Sequence, residues 1–276
     1  MSQLNLNRYY SPVVELVGIV YTALGVALSY AAVALHFSGF VSFVFTAAVF
    51  FAVAAMYAFL QFLSNWQNLR DKAAPKFFKL KLLISSLATL ISMLLLWKLQ
   101  CLPFMLNSEN LWPSNNIENA GLWLPLFLFL VYLILSRNAG GVFKAWIKAV
   151  LIAASAATFL FIAVFPQQIS MAVASGLFAP CWLNVLACAY LDRHKDFALN
   201  IPSIMGRNRK FPMKVFLAIN SIILVSIGYN SVSVFFSGVG LVFYLITLFF
   251  LVQFEEKMPL YIRRWLPDLL LFTAFL

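Results

Sequence analysis

Long apolar runs constrain this chain more than any other feature of its sequence. The first, over residues 12–36, contains one acid, Glu15, and no Lys or Arg. About 20 apolar residues suffice for a helix to cross a bilayer. The whole chain has 63% hydrophobic and 10% charged residues, against roughly 45–50% and 25% in soluble domains. Membrane β-barrel strands would alternate polar and apolar residues instead. We therefore expect an all-α, polytopic membrane protein.

Charges, prolines and polar clusters divide the apolar runs into nine predicted spans. Their approximate bounds are 12–36, 40–63, 80–99, 122–135, 143–165, 169–191, 213–229, 233–254 and 260–276. The fourth is short, and Arg263, Arg264 and Asp268 interrupt the ninth, so eight spans are an alternative. We expect residues 1–276 to form a single transmembrane domain, without a cleaved signal peptide.

The connectors between these spans alternate in charge. Those near 37–39, 100–121, 166–168 and 230–232 contain no Lys or Arg. Every basic residue except Lys98 is either Arg8 or lies in one of the other four connectors, around 64–81, 136–148, 192–214 and 255–264. Because Lys and Arg concentrate in cytoplasmic loops, the N-terminus and the basic connectors are predicted to be cytoplasmic. The net charge of +10 thus reflects topology rather than nucleic-acid binding. A short, loop-poor chain favours a bacterial inner membrane.

The connector after span six is the first candidate site. It reads YLDRHKDFALNIPSIMGRNRKFP, in which Lys195 lies between Asp192 and Asp196. The two carboxylates would share one face if the helix continued past Leu191. A divalent cation such as Mg²⁺ would remove their repulsion and bridge to a phosphate. The alternative, which the spacing alone favours, is a solvated loop in which acids balance their basic neighbours.

The connector after span two is the second candidate site. It reads FLQFLSNWQNLRDKAAPKFFKLK and offers oxygen ligands in Asn65, Gln67 and Asp71. Arg70 and Lys76 are among its basic residues. The alternative is a polar helix end whose basic side chains reach the lipid headgroups.

Polar, acid-bearing connectors after spans two and six of a nine-helix chain resemble the UbiA-type intramembrane prenyltransferases. Helices of that family surround a central cavity open to lipid, and Asp-rich motifs after helices two and six hold Mg²⁺ on an isoprenoid diphosphate. Asp192 and Asp196 match the paired acids of the second motif, and NIPSIMGR at 200–207 is similar to the segment that follows it. Residues 130–137 and 146–153 are more weakly similar to helix four, its basic turn and helix five.

The resemblance implies a UbiA-like bundle that transfers a prenyl group, with Mg²⁺, from an isoprenoid diphosphate to a lipophilic acceptor such as an aromatic ring. It implies metal ligands at Asp71, Asp192 and Asp196, and diphosphate contacts at Asn65, Gln67, Arg70, Lys76 and Lys195.

The first motif departs from the family form NxxxDxxxD. Counted from Asn65, the acid positions hold Leu69 and Ala73; counted from Gln67, they hold Asp71 and Pro75. The alternatives are therefore a catalytically inactive relative, a small transporter or a lipid-binding protein.

Two features lie within the spans themselves. Asp268 is a candidate functional group because ionisable residues are rare inside membranes; the nearby Arg263 and Arg264 favour a structural ion pair instead. Small residues, including Gly25 and Ser29 in the first span, are explained by close approach of helix backbones.

Overall fold

The computed structural model describes residues 12–68, 75–98, 141–164, 171–193 and 238–276, with the single residues 131, 134, 204 and 220. Its helices are α1 Pro12–Ser38, α2 Phe43–Asn68, α3 Pro75–Lys98, α4 Gly141–Val164, α5 Met171–Leu191, α6 Gly238–Gln253 and α7 Leu260–Leu270. Two 3-10 turns follow α6 and α7, at Glu255–Lys257 and Leu271–Phe275. These ranges contain no β-strand, so the predicted all-α architecture is confirmed for them.

The helices overlap seven of the nine predicted spans. Spans four and seven lie almost wholly outside the described residues. Among the described residues, three helical segments are long and apolar enough to cross a membrane: Leu16–Phe37, Phe43–Leu60 and Val173–Leu191. Shorter apolar helices are Leu80–Leu95, Ala145–Phe161, Val239–Gln253 and Trp265–Phe275. This much supports a helical membrane protein, and the nine-span arrangement stays a prediction.

Two helix ends extend into the predicted connector 64–81. α2 continues to Asn68, and α3 begins at Pro75. The polar residues at the end of α2 mark where the apolar surface stops, and polar side chains do not by themselves end a helix. Proline suits the first turn of α3 because its fixed φ is already helical and its missing N–H would have no helical partner there.

Side-chain size is distributed as expected for a bundle surrounded by lipid. Many of the buried side chains are small, such as Ala23, Ala58 and Ala153, whereas exposed positions on α3 and α6 carry large ones such as Leu83 and Phe243. Soluble proteins seldom expose large apolar patches. In a membrane, large apolar side chains can face the lipid, and helices contact one another through small residues. The outer faces of α3 and α6 therefore suit contact with acyl chains.

α1 is the helix on which the described bundle is organised. It contacts α2, α4, α7 and the 3-10 turn Leu271–Phe275. α2 and α3 are antiparallel and are joined by hydrogen bonds from Ser85 Oγ to the Ala55 carbonyl (3.0 Å) and from Ser92 Oγ to the Ala48 carbonyl (3.1 Å). α7 contacts both α1 and α5, which brings Asp268 inside the bundle.

Candidate functional site

Glycines allow α7 and the turn after it to pack closely against α1 and α6. A Cβ added to Gly25 on α1 would overlap the carbonyl oxygen of Asp268. A Cβ on Gly240 of α6 would lie 2.5 Å from the Thr273 carbonyl oxygen. Gly18 faces the Trp265 side chain. The close backbone approach expected for Gly25 is therefore present, and it fixes the position of Asp268 relative to α1.

A cluster of polar side chains surrounds the Asp268 carboxylate. Thr22 Oγ1 donates to Asp268 Oδ2 at 2.5 Å. Asn184 Nδ2 donates to Oδ1 at 2.6 Å, and the Cys188 thiol donates to the same oxygen at 3.4 Å. The Tyr244 hydroxyl lies 3.3 Å from Asn184 Oδ1 and donates to it. These five residues, from α1, α5, α6 and α7, form what we call the Asp268 cluster.

Prolines shape the two helices that carry most of this cluster. Pro180 lies inside α5, one turn before Asn184, and Pro267 lies inside α7, directly before Asp268. Each proline lacks the N–H that would bond to the carbonyl four residues earlier. Beyond Asp268 the helix tightens: the Leu271 N–H donates to the Asp268 carbonyl, and a 3-10 turn follows. Asp268 thus lies where the winding of the last helix changes.

Asp268 differs from the sequence interpretation, which favoured an ion pair with Arg263 or Arg264. Among the described side chains its hydrogen-bond donors are neutral, and Arg263 Nε donates to the Met258 carbonyl at 3.0 Å. Five residues along a helix correspond to a rotation of about 140° beyond one full turn. Arg263 therefore points away from the face that carries Asp268. The Arg264 side chain lies outside the described set.

A polar stripe runs along α5 from its end to the Asp268 cluster. It consists of Asn184, Cys188 and Asp192, which are four residues apart and share one helix face. Helical hydrogen bonding extends past the Leu191 end of α5, because Asp192 lies in a turn whose N–H donates to the Cys188 carbonyl at 2.9 Å, and Arg193 is helical. The helical extension on which the Asp192–Asp196 pairing depends is present as far as Arg193.

Part of this polar region is accessible. Thr22, Cys188, Asp192 and Asp268 are half-buried, whereas Asn184 is buried. Polar residues that keep some exposed surface therefore lie both at the end of α5 and in the Asp268 cluster.

Arg193, next to Asp192, is bound by Glu255. Its Nη1 donates to Glu255 Oε2 at 2.5 Å, and its Nη2 donates to Oε1. Nη1 also donates to the Tyr190 carbonyl at 2.7 Å, and the guanidinium carbon lies 3.7 Å from the Tyr190 ring centre. Only 6% of Glu255 is exposed. This Arg193–Glu255 clamp fastens the end of α5 to the junction between α6 and α7. Glu255 was not predicted from the sequence, because the connector 255–264 was interpreted only through its basic residues. Its position directly after an apolar run could have identified it.

The remaining predicted site residues are described in part or not at all. Asn65 and Gln67 belong to α2 and Lys76 to the first turn of α3, but their side chains lie outside the described set. The predictions that fall wholly outside it are Arg70, Asp71, Lys195 and Asp196. Lys81 on α3 was not among the predicted site residues and is buried, with 6% exposed.

Asp192 has the ligand chemistry that Mg²⁺ requires, since the metal prefers carboxylate oxygen and keeps several water or phosphate ligands. Within the described ranges no three His, Cys, Asp or Glu residues come together as a metal-binding group. A Mg²⁺ site here would therefore take its other ligands from Asp71 and Asp196, which lie outside the described ranges, from water or from the diphosphate itself.

No protein-family model matches the chain, and comparison with curated proteins and with solved structures found no significant match. Its function has to be inferred from the chemistry of its own residues.

Proposed function

We propose that this chain is a UbiA-type intramembrane prenyltransferase that moves a prenyl group from an isoprenoid diphosphate to a lipophilic acceptor. The observation that carries the proposal is the helical extension of α5 to Arg193, with Asp192 on the face that leads to the Asp268 cluster. A carboxylate at a membrane helix end, above a polar stripe that is partly exposed, can meet a charged diphosphate while the prenyl tail stays among apolar helices. The nine-span bundle, the cytoplasmic site and the bacterial inner membrane belong to the same proposal.

The proposed chemistry assigns separate tasks to acidic, basic and apolar residues. Asp192 and Asp196 would hold Mg²⁺, with Asp71 as a third ligand. The chemistry that Mg²⁺ supplies when bound is stabilisation of the departing diphosphate. Lys195, Arg70 and Lys76 would add positive charge on the same group, while Asn65 and Gln67 would donate hydrogen bonds to it. Apolar helix surfaces exclude water, which would otherwise hydrolyse the activated donor.

Binding of radiolabelled farnesyl diphosphate to the detergent-purified protein tests the proposal. We expect Mg²⁺-dependent binding by the unmodified chain and its loss in the double variant Asp192→Asn/Asp196→Asn. Lys257→Gln is the matched control, because it removes one exposed charge near the same membrane face without touching Asp192. Binding that survives in the folded double variant, or that is absent from the folded unmodified protein, would reject the transferase proposal.

A small transporter or lipid-binding protein is the second candidate, and one observation favours it. Asp268 lies inside the bundle, and two of the helices around it contain a proline, Pro180 or Pro267. Interior carboxylates and proline-containing helices occur along ion and substrate pathways in transporters. In vesicles containing a pH-sensitive dye, a transporter would move protons in the Asp192→Asn variant but not in Asp268→Asn. A transferase would move none in either.

A further inference from the structure

We infer that the Asp268 cluster recognises a hydrogen-bond-donating head group, a hydroxyl or an amine, on an otherwise apolar molecule. The identification of that molecule as the prenyl acceptor rests on the proposed function, whereas the binding of its head group does not. Three observations support the site: the hydrogen bonds already made to Asp268, the surface left accessible, and the distance to Asp192.

The hydrogen bonds leave room for one more donor. Asp268 Oδ1 accepts from both Asn184 and Cys188, while Oδ2 accepts from Thr22. A carboxylate offers about four lone-pair sites over its two oxygens. One site on Oδ2 therefore remains for a ligand. Because a carboxylate only accepts hydrogen bonds, an ether or ketone could not use this site.

The accessible surface shows from which side a ligand would approach. Thr22 and Cys188 are half-buried, as is Asp268, whereas Asn184 and Tyr244 are buried behind them. A ligand would therefore reach the carboxylate past Thr22 and Cys188, and Cys188 lies on the α5 face that leads to Asp192. Asn184 and Tyr244 hold the carboxylate from the closed side.

The distance along α5 matches a small head group placed between two polar sites. Cys188 lies four residues before Asp192 and Asn184 lies eight residues before it. At 1.5 Å per residue these separations are about 6 Å and about 12 Å along the helix axis. They accommodate one ring or a short chain between Asp268 and a diphosphate held at Asp192. Anionic head groups are disfavoured because they would meet the like charge of the Asp268 carboxylate. The site therefore selects a neutral alcohol or phenol, or an amine, over a carboxylic acid.

Protection of Cys188 from N-ethylmaleimide tests the inference in the full-length, detergent-purified protein. Labelling is quantified by peptide mass spectrometry, and Cys181 on the same helix is the reference because it is 1% exposed. The probes are 4-octylphenol and decylamine, with 4-octylanisole and 4-octylbenzoic acid as controls that lack the donor or carry a negative charge. We expect the phenol or the amine to slow labelling of Cys188, and neither control to do so. The comparison between phenol and amine identifies which donor the site prefers.

Variants locate the effect. In Asp268→Asn the concentration of phenol or amine needed for half-protection should rise about tenfold or more, as expected when a hydrogen bond to a charged group is lost. Thr22→Ser keeps the hydroxyl and should behave like the unmodified protein. If Asp268→Asn fails to fold, the comparison of the four probes on the unmodified protein still tests whether the site requires a hydrogen-bond donor.

Equal protection by 4-octylphenol and 4-octylanisole, or a Cys188 as unreactive as Cys181, would overturn the inference. Farnesyl diphosphate binding, measured separately, distinguishes this failure from failure of the proposed function. Diphosphate binding without head-group protection removes only the inference. Head-group protection without diphosphate binding retains the site and removes the transferase.

Discussion

Gly25 and Thr22, three residues apart on α1, contact the same residue of α7 in two ways. The missing side chain of Gly25 admits the backbone carbonyl of Asp268, and the Thr22 hydroxyl donates to its carboxylate. Helix packing and polar recognition are therefore coupled at one position. A substitution that adds even one methyl group at this contact and displaces α7 should therefore also alter the hydrogen bonds of Asp268.

Gly25→Ala should be destabilising, by about 1–3 kcal/mol, because overpacking forces a backbone shift. The added methyl would meet main-chain atoms of Asp268, which cannot rotate away. The measurement is the free energy of unfolding in mixed detergent micelles. Gly18→Ala is the matched control, since the atoms nearest to its methyl belong to the Trp265 side chain rather than to main chain. Equal losses in both variants would contradict this account.

Thr22→Val should remove one donor from Asp268 while preserving the shape of the side chain. Interhelical hydrogen bonds within membranes contribute about 0.6 kcal/mol on average and up to about 1.7 kcal/mol. We expect a loss near the upper value, because the bond to Oδ2 is short and its acceptor is a carboxylate. Thr22→Ser should retain the stability of the unmodified protein in the same unfolding measurement. A Thr22→Val variant as stable as Thr22→Ser would argue against this hydrogen bond.

At the scale of elements, the Arg193–Glu255 clamp joins α5 to the α6–α7 junction. Glu255→Gln should lower the free energy of unfolding by about 2 kcal/mol. That is less than the roughly 3–5 kcal/mol for breaking a fully buried pair, because the Arg193 side chain is 22% exposed. Lys257→Gln, on the same turn but exposed, should have little effect.

The exchange Arg193→Glu with Glu255→Arg provides the second half of that test. Each single reversal should destabilise the protein more than Glu255→Gln, because it places two like charges together. The double exchange should recover part of the loss. Without recovery, the contribution of Glu255 would lie in its packing rather than in its charge.

Apolar runs were sufficient to predict where the described helices lie, because lipid demands a continuous apolar surface from each one. The ends of α2 and α3 were less predictable, since polar residues mark the edge of the membrane and leave the helix free to continue. The partners of Asp268 could not be predicted at all. They come from helices distant in sequence, whereas local spacing drew attention to Arg263 and Arg264. The position of Asp192 at the end of α5 was predictable because it directly follows an apolar run, and its role as a metal ligand stays a prediction.

At the scale of the whole molecule, small buried and large exposed side chains fit a lipid environment, and the charges predict its orientation. Reporter fusions can measure that orientation with one reporter active only in the cytoplasm and another only outside it. Fusions within 69–74, 136–140 and 194–212 should report the cytoplasmic side, and fusions within 37–39, 100–121 and 166–168 the opposite side. Two consecutive connectors on the same side would contradict the nine-span topology. Introducing Lys residues into connector 166–168 is the control, because basic residues there should weaken or reverse the placement of that connector outside the cytoplasm.

The hydrogen bond between Thr22 and Asp268 joins residues that are 246 positions apart. At a synthesis rate of about 5–20 residues per second, Asp268 is added to the chain roughly 10–50 s after Thr22. Throughout that interval α1 has been synthesised but α7 has not, so the α1 face with Gly25 and the Thr22 hydroxyl lacks its contacts to α7. The Asp268 cluster can therefore be completed only after α1, α5, α6 and α7 have all been synthesised. A stall in translation before residue 260 would leave α1 with its polar face uncovered, available to the insertion machinery, to lipid or to quality-control proteases.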